Sequence, residues 1–262
     1  MENRFKTSLR GGSVPLDTWL MSGAPSTAEA LGFCGFDFLV LDMEHVPIGV
    51  PEAVNLLRAI AGTPAQAVVR LPWNDPIIVK RMLDAGAQTL MFPFIQTAEE
   101  ARQAVAATRY PPQGTRGIAA VHRASRYGRD TDYLQHANDQ VCVILQLETR
   151  AAIAGMADIA GVAGVDALFV GPGDLAGDMG HIGAVSHPDV QAALREAAGA
   201  ARALGMPVGI VGPTVGMVRD FTEWGYGFTA IASDLGMMTF RANELLSGLR
   251  GQPATAAPQA AY

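Results

Sequence analysis

Four short clusters of reactive side chains punctuate this 262-residue chain, and each lies at the end of an apolar run. Asp42-Met43-Glu44-His45 ends FDFLVLDMEH and Arg70 ends AQAVVR; Gln146-Leu147-Glu148 ends VCVILQLE, and Gly171-Pro172-Gly173-Asp174 follows DALFV. Ionisable groups are costly to place beside apolar residues without a partner, so several at the ends of such runs point to one shared site. Taken singly, each has a plainer reading. Asp42 and Glu44 read equally as solvated loop carboxylates, His45 as a surface histidine and Arg70 as a structural ion pair, while Asp174 reads as a turn residue or helix N-cap. Glu148 resists that reading best, because a carboxylate closing VCVILQL has little water around it.

Together the clusters have a definite chemistry. Two carboxylates with open positions are the hard-oxygen set that holds Mg²⁺ or Mn²⁺ and leaves room for substrate. A 2-oxo acid would chelate such an ion through its carboxylate and keto oxygens. Arg70 would then stabilise an enolate oxygen, and His45 would move protons. Asp42, three residues before His45, is expected to orient the imidazole. The amides of Gly173 and Asp174, if they open a helix, suit the substrate carboxylate. Lysine usage gives an independent check: Schiff-base chemistry needs a lysine inside the fold, and only Lys6 in the N-terminal segment and Lys80 inside a helical stretch are present. Neither ends a strand, so carbanion chemistry here calls for a metal.

Positioning these groups falls to eight runs read as strands: 18–23, 36–43, 65–71, 89–94, 141–148, 166–171, 207–211 and 228–233. Their near-continuous hydrophobicity predicts strands buried on both faces, as in a parallel sheet. Helix signals separate them. Ser26 with Glu29, and Thr97 with Glu100, have capping-box spacing; Asp75-Pro76 reads as N-cap then N1, with Gly86 as the stop. Val190, Leu194, Ala197, Ala201 and Leu204 share one face of a helix over 186–204 that Gly205 ends. Eight strands alternating with helices in about 250 residues predict a (β/α)8 TIM barrel. The rival doubly wound sheet lacks its glycine fingerprint, since the turn after the first strand reads SGAPST. The chain reads as a single barrel domain over 1–250, with residues 251–262 as a disordered tail. Residues 109–139 are too long for a plain connector and are expected to be functional.

Composition narrows the partners. With 49% hydrophobic residues the chain can build a large core, and a formal charge of −6 argues against nucleic acid or an anionic membrane. No apolar run approaches the ~18 residues of a spanning helix, and the N-terminus has no apolar signal core. A soluble cytoplasmic protein is expected. Cys34 and Cys142 sit in apolar runs and read as small buried hydrophobes.

The ordered set FDFLVLDMEH, VVRLPWND, MLDAGAQTLMFPFIQTAEEA, YPPQGTRG, RASRYG, QLE and FVGPGDLAGDMG, spanning about residues 18–240, resembles the HpcH/HpaI aldolases. These are class II, metal-dependent pyruvate aldolases of the 4-hydroxy-2-oxoheptanedioate and 2-dehydro-3-deoxyglucarate aldolase kind. The resemblance implies a phosphoenolpyruvate/pyruvate-type barrel that reversibly cleaves 4-hydroxy-2-oxo acids to pyruvate, or a relative such as hydroxypyruvate, and an aldehyde through a metal-stabilised enolate. It implies Glu148 and Asp174 as metal ligands for Mg²⁺ or Mn²⁺, with Co²⁺, Ni²⁺ or Zn²⁺ as alternatives. Arg70 would contact the keto oxygen, and His45 with Asp42 would form the acid/base pair. Gln146, Gly173 and Asp174 would contact pyruvate, and Trp19 would line the pocket. It also implies a homohexamer, a trimer of dimers that exchange C-terminal helices, with Asp84 near a neighbouring subunit's site. Arg123, with His122, Arg126 and Arg129, is a candidate for binding the aldehyde's tail; the alternative is a solvated basic loop. Members that carry Ala in place of Gly173, and the apolar run Val46-Pro47-Ile48-Gly49, bear on aldehyde choice. The rival functions are C–C lysis of a CoA thioester, as in citrate or malyl-CoA lyases, and a non-catalytic ligand-binding barrel.

Overall fold

Strands without polar alternation need cover on both faces, and a closed barrel ringed by helices supplies it. The computed structural model describes residues 2–11 and 14–253. Its strands are β1 (Leu16–Leu20), β2 (Phe38–Asp42), β3 (Gln66–Arg70), β4 (Thr89–Phe92), β5 (Cys142–Leu147), β6 (Ala167–Val170), β7 (Val208–Gly212) and β8 (Phe228–Ser233). Each is parallel to the next, and β8 pairs back onto β1 to close the barrel. All eight expected runs become strands. β7 is shifted by one residue, and β1 starts two residues early, where the Asp37 carboxylate accepts the Leu16 N–H at 2.8 Å.

Alternate residues face the axis. Trp19, Phe38, Val40, Val68, Met91, Ile144, Phe169 and Phe228 fill the interior, while Leu39, Leu41, Val69, Leu90, Val143 and Leu168 pack under the helices. The interior is full enough that Gly209 has no room for a side chain, since a Cβ there would run into the Phe228 ring. Asp17 is wholly buried below Trp19 and has no hydrogen-bond partner among the described residues. Burial first, and then the Asp37 charge, push its carboxyl well above the usual range, which favours the neutral form.

The helices, in chain order, are α1 (Arg4–Ser8), α2 (Pro25–Gly32), α3 (Val50–Ala61), α4 (Pro76–Asp84), α5 (Ala98–Thr108), α6 (Tyr133–Gln140), α7 (Arg150–Ala154), α8 (Met156–Ala160), α9 (Pro172–Asp178), α10 (Pro188–Ala203), α11 (Val215–Trp224) and α12 (Asp234–Arg250). Asp75 caps α4 by accepting the Ile77 N–H at 2.8 Å, a bond worth about 1 kcal/mol, and Gly86 follows the helix at φ 99°. Thr97 and Glu100 form the reciprocal box of α5. Gly205 follows α10 at φ 66°, as its position predicts. The box expected at Ser26 and Glu29 does not form. Pro25 occupies N1 of α2, so the N-cap is Ala24, without a side-chain bond, and Ser26 lies inside the helix.

α1 closes the N-terminal end of the barrel. Phe5 packs edge-on against Phe38 and Phe228 at 4.7 and 5.5 Å. Asn3 bonds Thr89 and Gln140, and Lys6 pairs with Asp166 at 3.1 Å. Lys6 is thus a floor residue, and Lys80 is exposed on α4. Cys142 is buried as expected, whereas Cys34 is exposed: its apolar neighbours form the turn after α2 rather than a strand, and neither thiol is paired.

Residues 109–139 pack at that same end, under the last turn of α4. The buried Arg116 pairs with Asp84 at 2.7 Å, and Arg123 donates to the Ala85 carbonyl at 2.8 Å. At the other end of the sequence, α12 is anchored by Asp234, which accepts the Met21 and Ser22 N–H groups. Beyond Asp234, α12 buries no residue among those described, and Met238, Leu245, Leu246 and Leu249 stand exposed. The expected tail over 251–262 lies, from residue 254 onward, outside the described residues.

Candidate active site

At the C-terminal mouth of the barrel, Asp42 and Arg70 are register partners on β2 and β3. Both side chains are wholly buried. Arg70 donates from Nε to Asp42 Oδ1 at 2.9 Å and from Nη2 to Oδ2 at 2.7 Å, a two-pronged clamp that fixes the guanidinium plane. Its Nη1 lies 3.1 Å from Glu44 Oε2. The Trp19 ring lies 4.2 Å from the guanidinium carbon and rests edge-on against Phe169. Trp19, fully buried, is therefore the floor beneath Arg70 rather than a wall of an open pocket.

Asp42 does not reach the His45 imidazole. Its Oδ1 also accepts the backbone N–H groups of Glu44 and His45, at 2.9 and 3.3 Å, so the carboxylate shapes the turn and holds Arg70. The acid nearest the imidazole is Glu44, with Oε2 3.9 Å from Nε2, and the half-exposed His45 projects at the mouth. The expected pairing of Asp42 with the ring is corrected accordingly: three residues of separation lead round a tight turn, whereas β2–β3 register leads straight to Arg70.

Across the mouth, Gln146 is the penultimate residue of β5, Glu148 directly follows the strand, and Asp174 sits in the first turn of α9. Glu148 is buried. Its Oε1 accepts from Gln146 at 2.9 Å and its Oε2 accepts the Phe94 N–H at 2.7 Å. Phe94 has φ 52°, an uncommon backbone state for a residue with a side chain, and its N–H meets Glu148 in that state. Gly171 leaves the space Glu148 occupies, since a Cβ there would stand 2.7 Å from Glu148 Cγ and 2.8 Å from Oε1. Two residues on, a Cβ at Gly173 would meet nothing within 4 Å.

Burial pushes the Glu148 carboxyl up to about 8, with the facing charges of Asp174 and then Glu44 adding to the rise and the Phe94 N–H opposing it. Glu44 is also raised, by burial first, against the pull of Arg70 and His45. Arg70 answers the charge of Glu44, but the buried Glu148 and the exposed Asp174 repel one another, and a divalent cation would offset that repulsion. The oxygens of Glu148 and Asp174 fit such an ion.

Arg123 and Asp84 are not brought here. Both lie at the N-terminal end, because α4 descends from the mouth and ends there, and Arg123 is bonded to the residue after Asp84. A cavity of about 520 Å³ opens beside them, lined by Arg123, Tyr127, Tyr133 and His136, at the opposite end from the carboxyl cluster. Within one chain, Arg123 cannot serve this mouth as a substrate contact.

A family model described as HpcH/HpaI aldolase/citrate lyase matches residues 16–240, all eight strands included. The chain belongs to that family. Among relatives of this HpcH/HpaI member, a 2-dehydro-3,6-dideoxy-6-sulfogluconate aldolase of Pseudomonas putida is 54% identical over 97% of this chain and 100% of the relative. A hydroxypyruvate/pyruvate aldolase of Sagittula stellata is 45% identical over 90% of this chain and 94% of its own. The crystal structure of an HpcH/HpaI aldolase/citrate lyase family protein from Burkholderia cenocepacia superposes with a TM-score of 0.91 at 42% identity, covering 95% of this chain and 99% of that one.

Proposed function

We propose that this HpcH/HpaI member is a class II aldolase, an aldehyde-lyase that reversibly cleaves 4-hydroxy-2-oxo acids to pyruvate, or a relative such as hydroxypyruvate, and an aldehyde. The observation that carries the reading is the clamped Arg70 facing the mutually repelling carboxyls of Glu44, Glu148 and Asp174. Glu148 and Asp174 would hold the divalent ion, with Mg²⁺ or Mn²⁺ suited to an all-oxygen set. Bound there, the ion supplies a Lewis acid that polarises the keto group of the 2-oxo acid.

The chain's own residues do the rest. Arg70, immobilised by Asp42 and supported by Trp19, holds positive charge where the keto oxygen becomes negative as C3 loses a proton. Such fixed charge needs no reorganisation during the reaction and is worth several kcal/mol. Gln146 holds Glu148 in place. Gly173 and Asp174 lie in the first turn of α9, where N–H groups lack intrahelical acceptors, and these suit the substrate carboxylate. His45, exposed at the mouth with the Glu44 carboxylate 3.9 Å away, moves the proton. The exposed apolar residues of α12 support an assembly in which that helix packs on another copy, a homohexamer built from dimers. Sedimentation of the full chain as a monomer would count against it.

Deuterium exchange at pyruvate C3 tests the chemistry without a choice of aldehyde. Exchange should appear with Mg²⁺ or Mn²⁺, vanish on chelation and be absent from Glu148→Gln. Tight metal and pyruvate binding without exchange would make the barrel a binding protein, and turnover confined to CoA thioesters would make it a lyase of another kind.

A further inference from the structure

A second group of metal-ligating side chains lies apart from the carboxyl cluster, where the connector after α9 meets α10. His181 Nε2 and His187 Nδ1 each lie 3.8 Å from Asp189 Oδ2, and the three donor atoms fall within 4.8 Å of one another. The two imidazole rings are stacked, with centroids 3.6 Å apart and planes 16° from parallel. We propose that His181, His187 and Asp189 bind a borderline divalent cation of the Zn²⁺ class.

Size and donor type agree. An ion bonded at about 2.1 Å to each of three tetrahedral ligands sets its donors about 3.4 Å apart. The two separations of 3.8 Å close to that value with a few tenths of an ångström of side-chain movement, and the two imidazole nitrogens, within 4.8 Å of each other, approach it as the rings turn. All three side chains are at least partly exposed, which leaves room for the rings to turn until their lone pairs converge. Imidazole donors select Zn²⁺, Ni²⁺ or Cu²⁺ over Mg²⁺, so this group and the all-oxygen group at the mouth favour different ions.

The lone pairs are available. His187 caps α10 by accepting the Asp189 N–H at Nδ1, at a long 3.3 Å, so an ion at that nitrogen would replace a weak bond. The His181 imidazole has no hydrogen-bond partner among the described residues. Asp189, in the first turn of α10, offsets the positive end of the helix that would otherwise repel a cation. The backbone ties His181 to α9, its N–H donating to the Ala176 carbonyl at 2.7 Å. A bound ion would therefore staple the end of α9 to the start of α10.

Zn²⁺ binding by the full-length Glu148→Gln/Asp174→Asn protein tests the proposal, because that background removes the carboxyl ligands at the mouth. About one Zn²⁺ per chain should remain in equilibrium dialysis, and Co²⁺ should give the visible absorption of a low-symmetry site. Adding His181→Ala, which removes no helix cap, should weaken Zn²⁺ at least tenfold and abolish the Co²⁺ bands, with circular dichroism reporting an intact fold. Absence of Zn²⁺ from the double variant, or retention unchanged after His181→Ala, would overturn the assignment. Both readouts are independent of aldolase turnover.

Discussion

Substituting alanine at Gly171 should damage catalysis through one side chain while leaving the fold in place. The backbone at Gly171 has φ −83°, which alanine adopts without strain, so the effect is steric. A Cβ there stands 2.7 Å from Glu148 Cγ, about 0.8 Å inside the ~3.5 Å of ordinary carbon contact. The neighbours are a β-strand end and the first turn of α9, so the carboxylate is the part that yields. Moving it by that amount stretches its bonds from Phe94 at 2.7 Å and Gln146 at 2.9 Å. Overpacking of this size costs about 1–3 kcal/mol of stability. Misplacing a reacting group by ~1 Å costs on the order of 100-fold in rate. Gly173→Ala is the matched control, because its Cβ meets nothing within 4 Å. Steady-state kinetics with saturating Mn²⁺ and thermal melts of both variants provide the assay. Gly171→Ala should lose about two orders of magnitude in kcat, and Gly173→Ala should stay within a few-fold of the parent. Equal damage from both variants, or none from Gly171→Ala, would refute the claim that this glycine makes room for Glu148.

Arg70→Lys keeps the charge but loses the clamp on Asp42, and should lower kcat/KM by at least ~100-fold, as measured by pyruvate release. Metal binding should depend on pH. Glu148 sits at about 8 in the fold against an ordinary 4.5, so the metal-free protein holds an extra proton between those values. Its contribution to metal-free stability is present at low pH and lost as pH rises through that window. Because the ion must displace this proton, Mn²⁺ affinity should rise up to about tenfold per pH unit toward pH 8 and then level off. Calorimetry across the range checks this, and flat affinity would contradict it. Removing the cap with Asp75→Ala should cost about 1 kcal/mol in a denaturant melt and leave turnover unchanged.

The barrel was legible because burial on both faces writes itself as unbroken apolar runs, and the rim was legible because charges that end such runs stand out. Contacts set by register were not. Asp42 looks like the partner of His45 by spacing, yet its true partner is 28 residues away on the adjacent strand. Arg123 lies at the far end of its own barrel, and the sequence of a long excursion does not say at which end it folds. Phe94 left no side-chain signal, since it acts through its backbone N–H. The Ser26 misreading has a local cause in Pro25, which claims the first helical position. Cys34 shows that a short apolar stretch such as GFCGF need not be buried, since it forms the turn after α2.

The packed interior, with Phe5 against Phe38 and Phe228 at its base, leaves a shallow well at the mouth rather than a tunnel. Everything that enters must leave by the same doorway. On the proposed function, a 2-oxo acid held against Arg70 would sit deepest and its companion farther out, so the companion would be the last in and the first out.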